Sequence, residues 1–452
     1  MSDLSAPETS AYKRKRMLGL LLVLLGGLLC LLRVYANRHL EHKYMGIDFR
    51  AVYGSTRCVV AGCNPYYFAD MRAQFLAHGG SLAEALTPTY GPFMPHYVGY
   101  PPPTLFYLVP FVLLNWPLAL FVFMGVSIAL YAIAALLFAD LCSEHVPLAA
   151  NVCLALFLAS SGEIVKLGQP TLLAAALACI GLWCLLKDRC PWVGVVSFAL
   201  SMVFKPHLGA IFLLYFLLAT KTYRKRALQI IGLTIVLSIP SLLWFAHNDA
   251  TRHWIQDYRE NIAGIATPGN LSDPGPRHKG ENHITDLQTL ISVYRDEPSF
   301  YNHVAWAISA VVLAGWLYVI VKRPPSREKD LLCIAGLAAF SMLPIYHRLY
   351  DCRIFLVLFP PLALLMQRSL WWGRAATVVT VWTIYVTSDF YTVNSETRFV
   401  QILERFPLIH GPAMRALTLT LLGVTLFYLA VLYLSPPELA LETELTTSAG
   451  SS

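Results

Sequence analysis

Residues 13–35 read KRKRMLGLLLVLLGGLLCLLRVY, and the class of the whole molecule turns on them. Four consecutive cations, Lys13 to Arg16, precede an apolar run from Met17 to Leu32. A signal peptide would have a short apolar core followed by a small-residue cleavage site, whereas this run passes into Arg33 and Tyr35 without one. The stretch therefore predicts an uncleaved first membrane helix. The basic cluster holds its amino terminus in the cytoplasm by the positive-inside tendency. Residues 1–16 are then a cytoplasmic tail, and residues 36–102 face outward.

Composition extends this reading to the rest of the chain. Of 452 residues, 56% are hydrophobic and 13% charged, with a mean hydropathy of +0.55. Soluble domains run at roughly 45–50% apolar and about 25% charged. A soluble enzyme, a nucleic-acid binder and a disordered scaffold are therefore excluded. The formal charge of +7 reflects cytoplasmic loops rich in Lys and Arg and requires no nucleic acid. Cys30, Cys153, Cys179, Cys184 and Cys333 lie in apolar runs, where Cys packs as a small hydrophobe. No zinc-type CxxC pair occurs. Cys58 and Cys63 differ in sharing one polar outer loop, where an oxidising compartment would allow them to bridge.

Later basic loops fix the path of the chain. Lys187 to Arg189, Lys221 to Arg226, Lys322 to Lys329, and Arg368 with Arg374 should each be cytoplasmic. Parity then gives twelve crossings near 17–35, 117–139, 148–160, 171–186, 192–204, 207–219, 227–245, 303–321, 331–345, 353–366, 373–388 and 413–434. The fifth and sixth form a hairpin of short broken helices with Lys205 near the outer side, tolerable where such helices line a cavity. Residues 103–116, Pro-rich and amphipathic, remain outside as an interfacial or re-entrant helix. The expected fold is an all-α polytopic membrane protein with a single transmembrane domain over 17–434. Its main outer loops are 36–102 and 246–302, and 435–452 is a disordered cytoplasmic tail.

Polar chemistry gathers on the outer side, while the cytoplasmic loops leave no room for a nucleotide-driven domain. Asp48 follows the first helix closely; by itself it reads as a helix cap or a partner for Arg50. Lys205, at the tip of a broken helix pair, must snorkel to water or meet an anion. Lys166 and Gln169 lie on an outer turn, and any such turn between spans needs polar residues. Loop 246–302 far exceeds the usual limit of about 15 residues and reads as a lid over a cavity. Within it, Asn270 is a sequon only in a eukaryotic secretory setting. His278 and His283 lack a third spaced ligand and read as solvated or substrate-facing residues.

Asp48, the run Ala61-Gly62-Cys63-Asn64-Pro65-Tyr66, then Tyr100-Pro101-Pro102-Pro103, Leu167-Gly168-Gln169-Pro170 and Phe204-Lys205-Pro206 occur in an order that resembles glycosyltransferase family 87 over residues 17–370. That group consists of polyprenyl-phosphate-sugar-dependent transferases of the GT-C class. The resemblance implies a GT-C-type fold and inverting transfer of a hexose, mannose being the expected one, to a lipid or glycan acceptor. The reaction would take place at the outer face of a cell membrane, the inner or plasma membrane of a bacterium. Asp48 would be the catalytic base, because single displacement needs one carboxylate where retention needs two. Lys205, His347 and Arg348 would bind the donor phosphate, whose departure leaves negative charge. Gln169, Lys166 and Tyr100 would contact substrate. The cluster Pro344 to Arg353 departs from the family's form, and an Arg348–Asp351 pair capping two helices is its other reading. The expected partners are the donor, the acceptor and membrane lipids, without cofactor or nucleic acid; no metal-ligand set is visible, and the metal requirement stays open. The competing functions are a flippase or transporter of lipid-linked glycans and a related oligosaccharide polymerase or ligase. A flippase would carry midplane charges and an inverted repeat, and no convincing repeat is visible.

Overall fold

The computed structural model describes residues 10–40, 45–86, 98–146, 148–270, 272–275, 283–388 and 415–434. Tyr97, the run Arg277-His278-Lys279 with Asn282, the segment 389–412 expected outside and the tail 435–452 lie outside the described residues, as does most of the tail before Lys13. Among the described residues all regular structure is helical, apart from an isolated bridge between Ile284 and Arg348.

Helix α1 (Ser10–Leu40) contains the apolar run of the opening stretch and exposes Met17, Leu21, Leu24 and Leu28. A leucine face of that size in water would be an aggregation surface, so its environment is lipid. The first segment expected to face outward folds into α2 (Ile47–Ala61), α3 (Phe68–Ala77) and α4 (Leu82–Leu86). The single helix expected over 103–116 is instead two short pieces, α5 (Pro102–Tyr107) and α6 (Val109–Val112). Pro110 supplies no N–H to continue the helical ladder, so the pattern breaks just before it. Helices α7 (Trp116–Cys142), α8 (Ala149–Ala159), α9 (Gly162–Lys166) and α10 (Pro170–Lys187) follow. Then come α11 (Pro191–Phe204), α12 (Pro206–Ala219), α13 (Lys221–His247), α14 (Trp254–Ile265) and α15 (Leu287–Ser292). Helices α16 (Pro298–Lys322) and α17 (Arg327–Ser341) precede a 3-10 stretch, Leu349–Leu358, that runs into α18 (Phe359–Arg368). The last two are α19 (Leu370–Val386) and α20 (Ala416–Leu434).

Seven of these segments are long and apolar enough to cross a membrane: those of α1, α7, α10, α13, α16, α20 and the continuous run Leu349–Arg368. Helices α8, α11 and α12 are apolar but shorter. Helices also occupy the two remaining expected positions, as α17 and α19. The molecule is an all-helical polytopic membrane protein.

Helix α10 forms its buried axis. Ala174, Ala175, Ala176 and Ala178 on it are fully buried, and a Cβ on Gly181 would stand 2.9 Å from the Phe198 Cβ, so α11 lies against α10 almost at backbone distance. The two ends of this axis differ. At the Lys187 end, Asp140 pairs with Arg16 at 2.7 Å and Lys187 at 3.3 Å, while Glu144 pairs with Lys187 and with Arg327 at 2.7 Å. Arg368 joins Glu328 at the same end. These are the loops whose basic character points to the cytoplasm. The opposite ends of α10, α11 and α17 converge on a polar cavity.

Candidate active site

Asp48 reaches that cavity through a fixed backbone joint. Gly46 (φ 64°) donates its N–H to the Lys166 carbonyl at 2.9 Å, and Asp48 donates its own to Leu167 at 3.1 Å. Helix α2 begins at Ile47, which puts the Asp48 carboxylate in its first turn, where the helix dipole favours an anion. Phe49 anchors the turn by stacking on Phe123 at 4.1 Å between ring centres. On the facing loop Gly168 has φ 67°, and a Cβ there would come within 3.1 Å of the Gly46 Cα, so only glycine fits. Pro170 then occupies the first turn of α10, where its missing N–H costs nothing. Gln169, the residue between them, donates Nε2 to Asp48 Oδ2 at 2.7 Å and accepts the Tyr100 hydroxyl on Oε1 at 2.6 Å. Because the hydroxyl can only donate to the amide oxygen, it orients the amide nitrogen toward Asp48.

A second joint presents the cations. Lys205 separates α11 from α12, and Pro206 prevents the two from fusing. Its Nζ donates to Thr171 Oγ1 at 2.7 Å and to Asp351 Oδ1, and lies 5.0 Å from the centre of the Tyr350 ring. Thr171 Oγ1 is itself 3.0 Å from Asp351 Oδ1, and the Arg348 backbone N–H donates to Asp351 Oδ2 at 3.2 Å. Asp351 is thus paired with Lys205 across elements and also caps its own 3-10 turn.

The cavity measures about 720 Å³. Asp48, Tyr100, Gln169, Lys205 and Arg348 all lie on its wall. Two of the expected residues do not. His347 is fully buried and packs its ring edge-on against His207 at 4.6 Å, and Lys166 is 3% exposed with its carbonyl committed to Gly46. Apolar side chains also line the cavity, among them Ile262 of α14 and Trp306 of α16, both of which are exposed. Helix α14 belongs to the segment expected to form a lid. It is held by the Asn64-Pro65-Tyr66 motif: Asn64 Nδ2 donates to Asp257 Oδ2 at 2.9 Å and Asn261 Nδ2 to the Tyr66 carbonyl at 3.0 Å, while the Tyr66 hydroxyl donates to the Tyr100 carbonyl at 3.0 Å and ties the motif to the cavity wall. A Cys58–Cys63 disulfide closes the end of α2 just before this motif.

Asp48 touches the cavity but is otherwise enclosed by protein, and this burial pushes its carboxyl above the usual carboxylate range. The Gln169 hydrogen bond and the charges of Arg348, Lys205 and Arg50 pull it back only in part. Burial, together with the negative charges of Asp48 and Asp351, raises the Tyr100 hydroxyl well above its ordinary value, so it remains a donor. A carboxylate of enhanced basicity thus shares a chamber with fixed cations.

Sequence reading did not single out Thr171 or His207 for a role. His207 directly follows Lys205-Pro206, but its closeness to His347 depends on two helix ends meeting.

The family model of glycosyltransferase family 87 matches residues 97–345, more than half of the chain. The matched span contains Tyr100, Lys166, Gln169 and Lys205, while Asp48, His347 and Arg348 lie outside it. No curated protein and no solved structure matches the chain.

Proposed function

The chain belongs to glycosyltransferase family 87, and on that footing we propose that it moves one hexose, mannose first among candidates, from a polyprenyl-phosphate donor to a lipid or glycan acceptor. Asp48 takes the proton of the acceptor hydroxyl as that oxygen attacks the anomeric carbon. The bond from that carbon to the phosphate oxygen breaks, and its electron pair leaves with the polyprenyl phosphate. One displacement on one face inverts the anomeric centre. Lys205 and Arg348 meet the charge that accumulates on the departing phosphate, with His347 behind them. Gln169 and Tyr100 hold the substrate side of the chamber, with Lys166 behind its wall, and the apolar side chains of Ile262 and Trp306 take the lipid chain.

The observation that carries this reading is the Asp48 carboxylate, held by Gln169 on the same wall of one cavity as Lys205 and Arg348. The outer-face location draws support from the cation-rich network at the other end of α10. In that arrangement the chain makes twelve crossings in a GT-C-type fold, the shorter helices included, within the cell membrane of a bacterium.

The test is transfer in proteoliposomes supplied with a panel of polyprenyl-phosphate sugars. Asp48→Asn is expected to lower turnover by roughly 10²–10⁴-fold while leaving the protein folded, the usual contribution of a general base. Near-wild-type transfer by that variant would remove Asp48 from the role.

A further inference from the structure

His207 stands in the first turn of α12, His347 on the segment after α17, and Asp351 in the 3-10 stretch. Three elements thus bring one ligand atom each to within 4.8 Å of one another. His347 and Asp351 stand four residues apart, while His207 comes from a distant part of the chain, so only the fold completes the set. His347 supplies the most specific observation. Its Nδ1 lies 3.0 Å from the Ile345 carbonyl, which can only accept, so Nδ1 bears the proton and Nε2 has the free lone pair. That Nε2 is buried without a hydrogen-bond partner, in a residue that is 0% exposed. Fixing one ring nitrogen on a carbonyl so that the other can ligate is the usual arrangement around a metal-bound histidine.

We propose that His207, His347 and Asp351 form a divalent-cation site, for Zn2+ by its ligand set, at the edge of the cavity. Two neutral imidazole nitrogens and a carboxylate oxygen leave the fourth tetrahedral position open. His207 and Asp351 lie on the cavity wall, so the open position faces the chamber. Lys205 is the built-in competitor, because its ammonium already holds Asp351 Oδ1. The ion therefore shares the carboxylate through Oδ2 or displaces the ammonium, and it binds more tightly once the ammonium is removed. Use of the open position on a phosphate oxygen of the donor rests on the glycosyltransferase reading; the site itself does not.

The experiment takes the full chain without a polyhistidine tag, strips it with chelator and titrates it with zinc chloride, counting metal per chain by mass spectrometry. Substitution by Co2+ adds a visible spectrum that reports nitrogen and oxygen ligands. One zinc per chain is expected, with affinity at least about tenfold weaker in His207→Ala, His347→Ala and Asp351→Asn and tighter in Lys205→Met. The exposed His303 serves as control, and His303→Ala should bind like wild type. Only monodisperse variants with wild-type melting temperature are compared, and His207→Gln and His347→Gln replace any alanine variant that fails to fold. Zinc uptake that is absent, or undiminished when both histidines are changed, overturns the site. Stoichiometric zinc with transfer indifferent to its removal overturns only the use on phosphate. Stoichiometric zinc in a protein that transfers no sugar from any donor upholds the site and overturns the transferase reading.

Discussion

Gln169 shows how much one side chain can decide. Its amide pulls the Asp48 pKa down against burial, so replacing it with leucine lets burial win and moves that pKa further up. A general base works only when ionised, and activity is lost as pH falls through its folded pKa. The acid limb of the pH–rate profile should therefore move to higher pH in Gln169→Leu. Near neutral pH the loss should be roughly ten- to a hundredfold, the worth of one hydrogen bond to a charged group. Part of it should return as pH rises. A uniform loss at every pH would mean that Gln169 acts on the substrate alone. The sharing of one cavity by Asp48, Gln169 and Lys205 matches the sequence expectation, each standing beside a Gly or Pro at a helix end, where polar side chains collect. The burial of His347 and Lys166 behind the wall was not legible, because residue order does not say which way a turn faces.

Among the elements, α14 owes its place to a motif almost two hundred residues earlier, through Asn64 to Asp257 and Tyr66 to Asn261. Asn64 also holds its own turn by accepting the Tyr66 N–H at 2.9 Å. Asn64→Ala should loosen both. Hydrogen–deuterium exchange across residues 254–265 is expected to speed up about tenfold or more, with α10 unchanged, since local opening is governed by the contacts of the unit that opens. Equal exchange in the variant and wild type would show that α14 is held by its apolar face instead. The positions of the long apolar helices were readable because such runs have few alternatives in a bilayer, whereas the short helices between them, α2 to α4 and α14 among them, were not. The break at Pro110 was not, since the amphipathic pattern over 103–116 continues across it and only the packing of α5 and α6 separates the two halves.

For the whole molecule, polarity is the principal feature: ion pairs join helix ends at one side and the cavity lies at the other. A cysteine introduced at Arg224 should react with a membrane-impermeant maleimide only from the cytoplasm, and one at Ser272 only from outside. Labelling of Ser272→Cys from the cytoplasm alone would invert the topology and the side of the site. Charge placement made this polarity legible in sequence, while the convergence of four separated motifs on one chamber required the fold. The 18 residues of α10 set the distance between the two ends at about 27 Å, at 1.5 Å per residue. That is close to the thickness of a bilayer's hydrocarbon core, about 30 Å. On the proposed reaction the helix is in effect a depth gauge: it would hold the reacting carbon at the headgroup plane only in lipid of matching thickness. Turnover should peak in membranes of that thickness and decline in thinner or thicker ones, so acyl-chain length becomes a control on a reaction in which no acyl bond takes part.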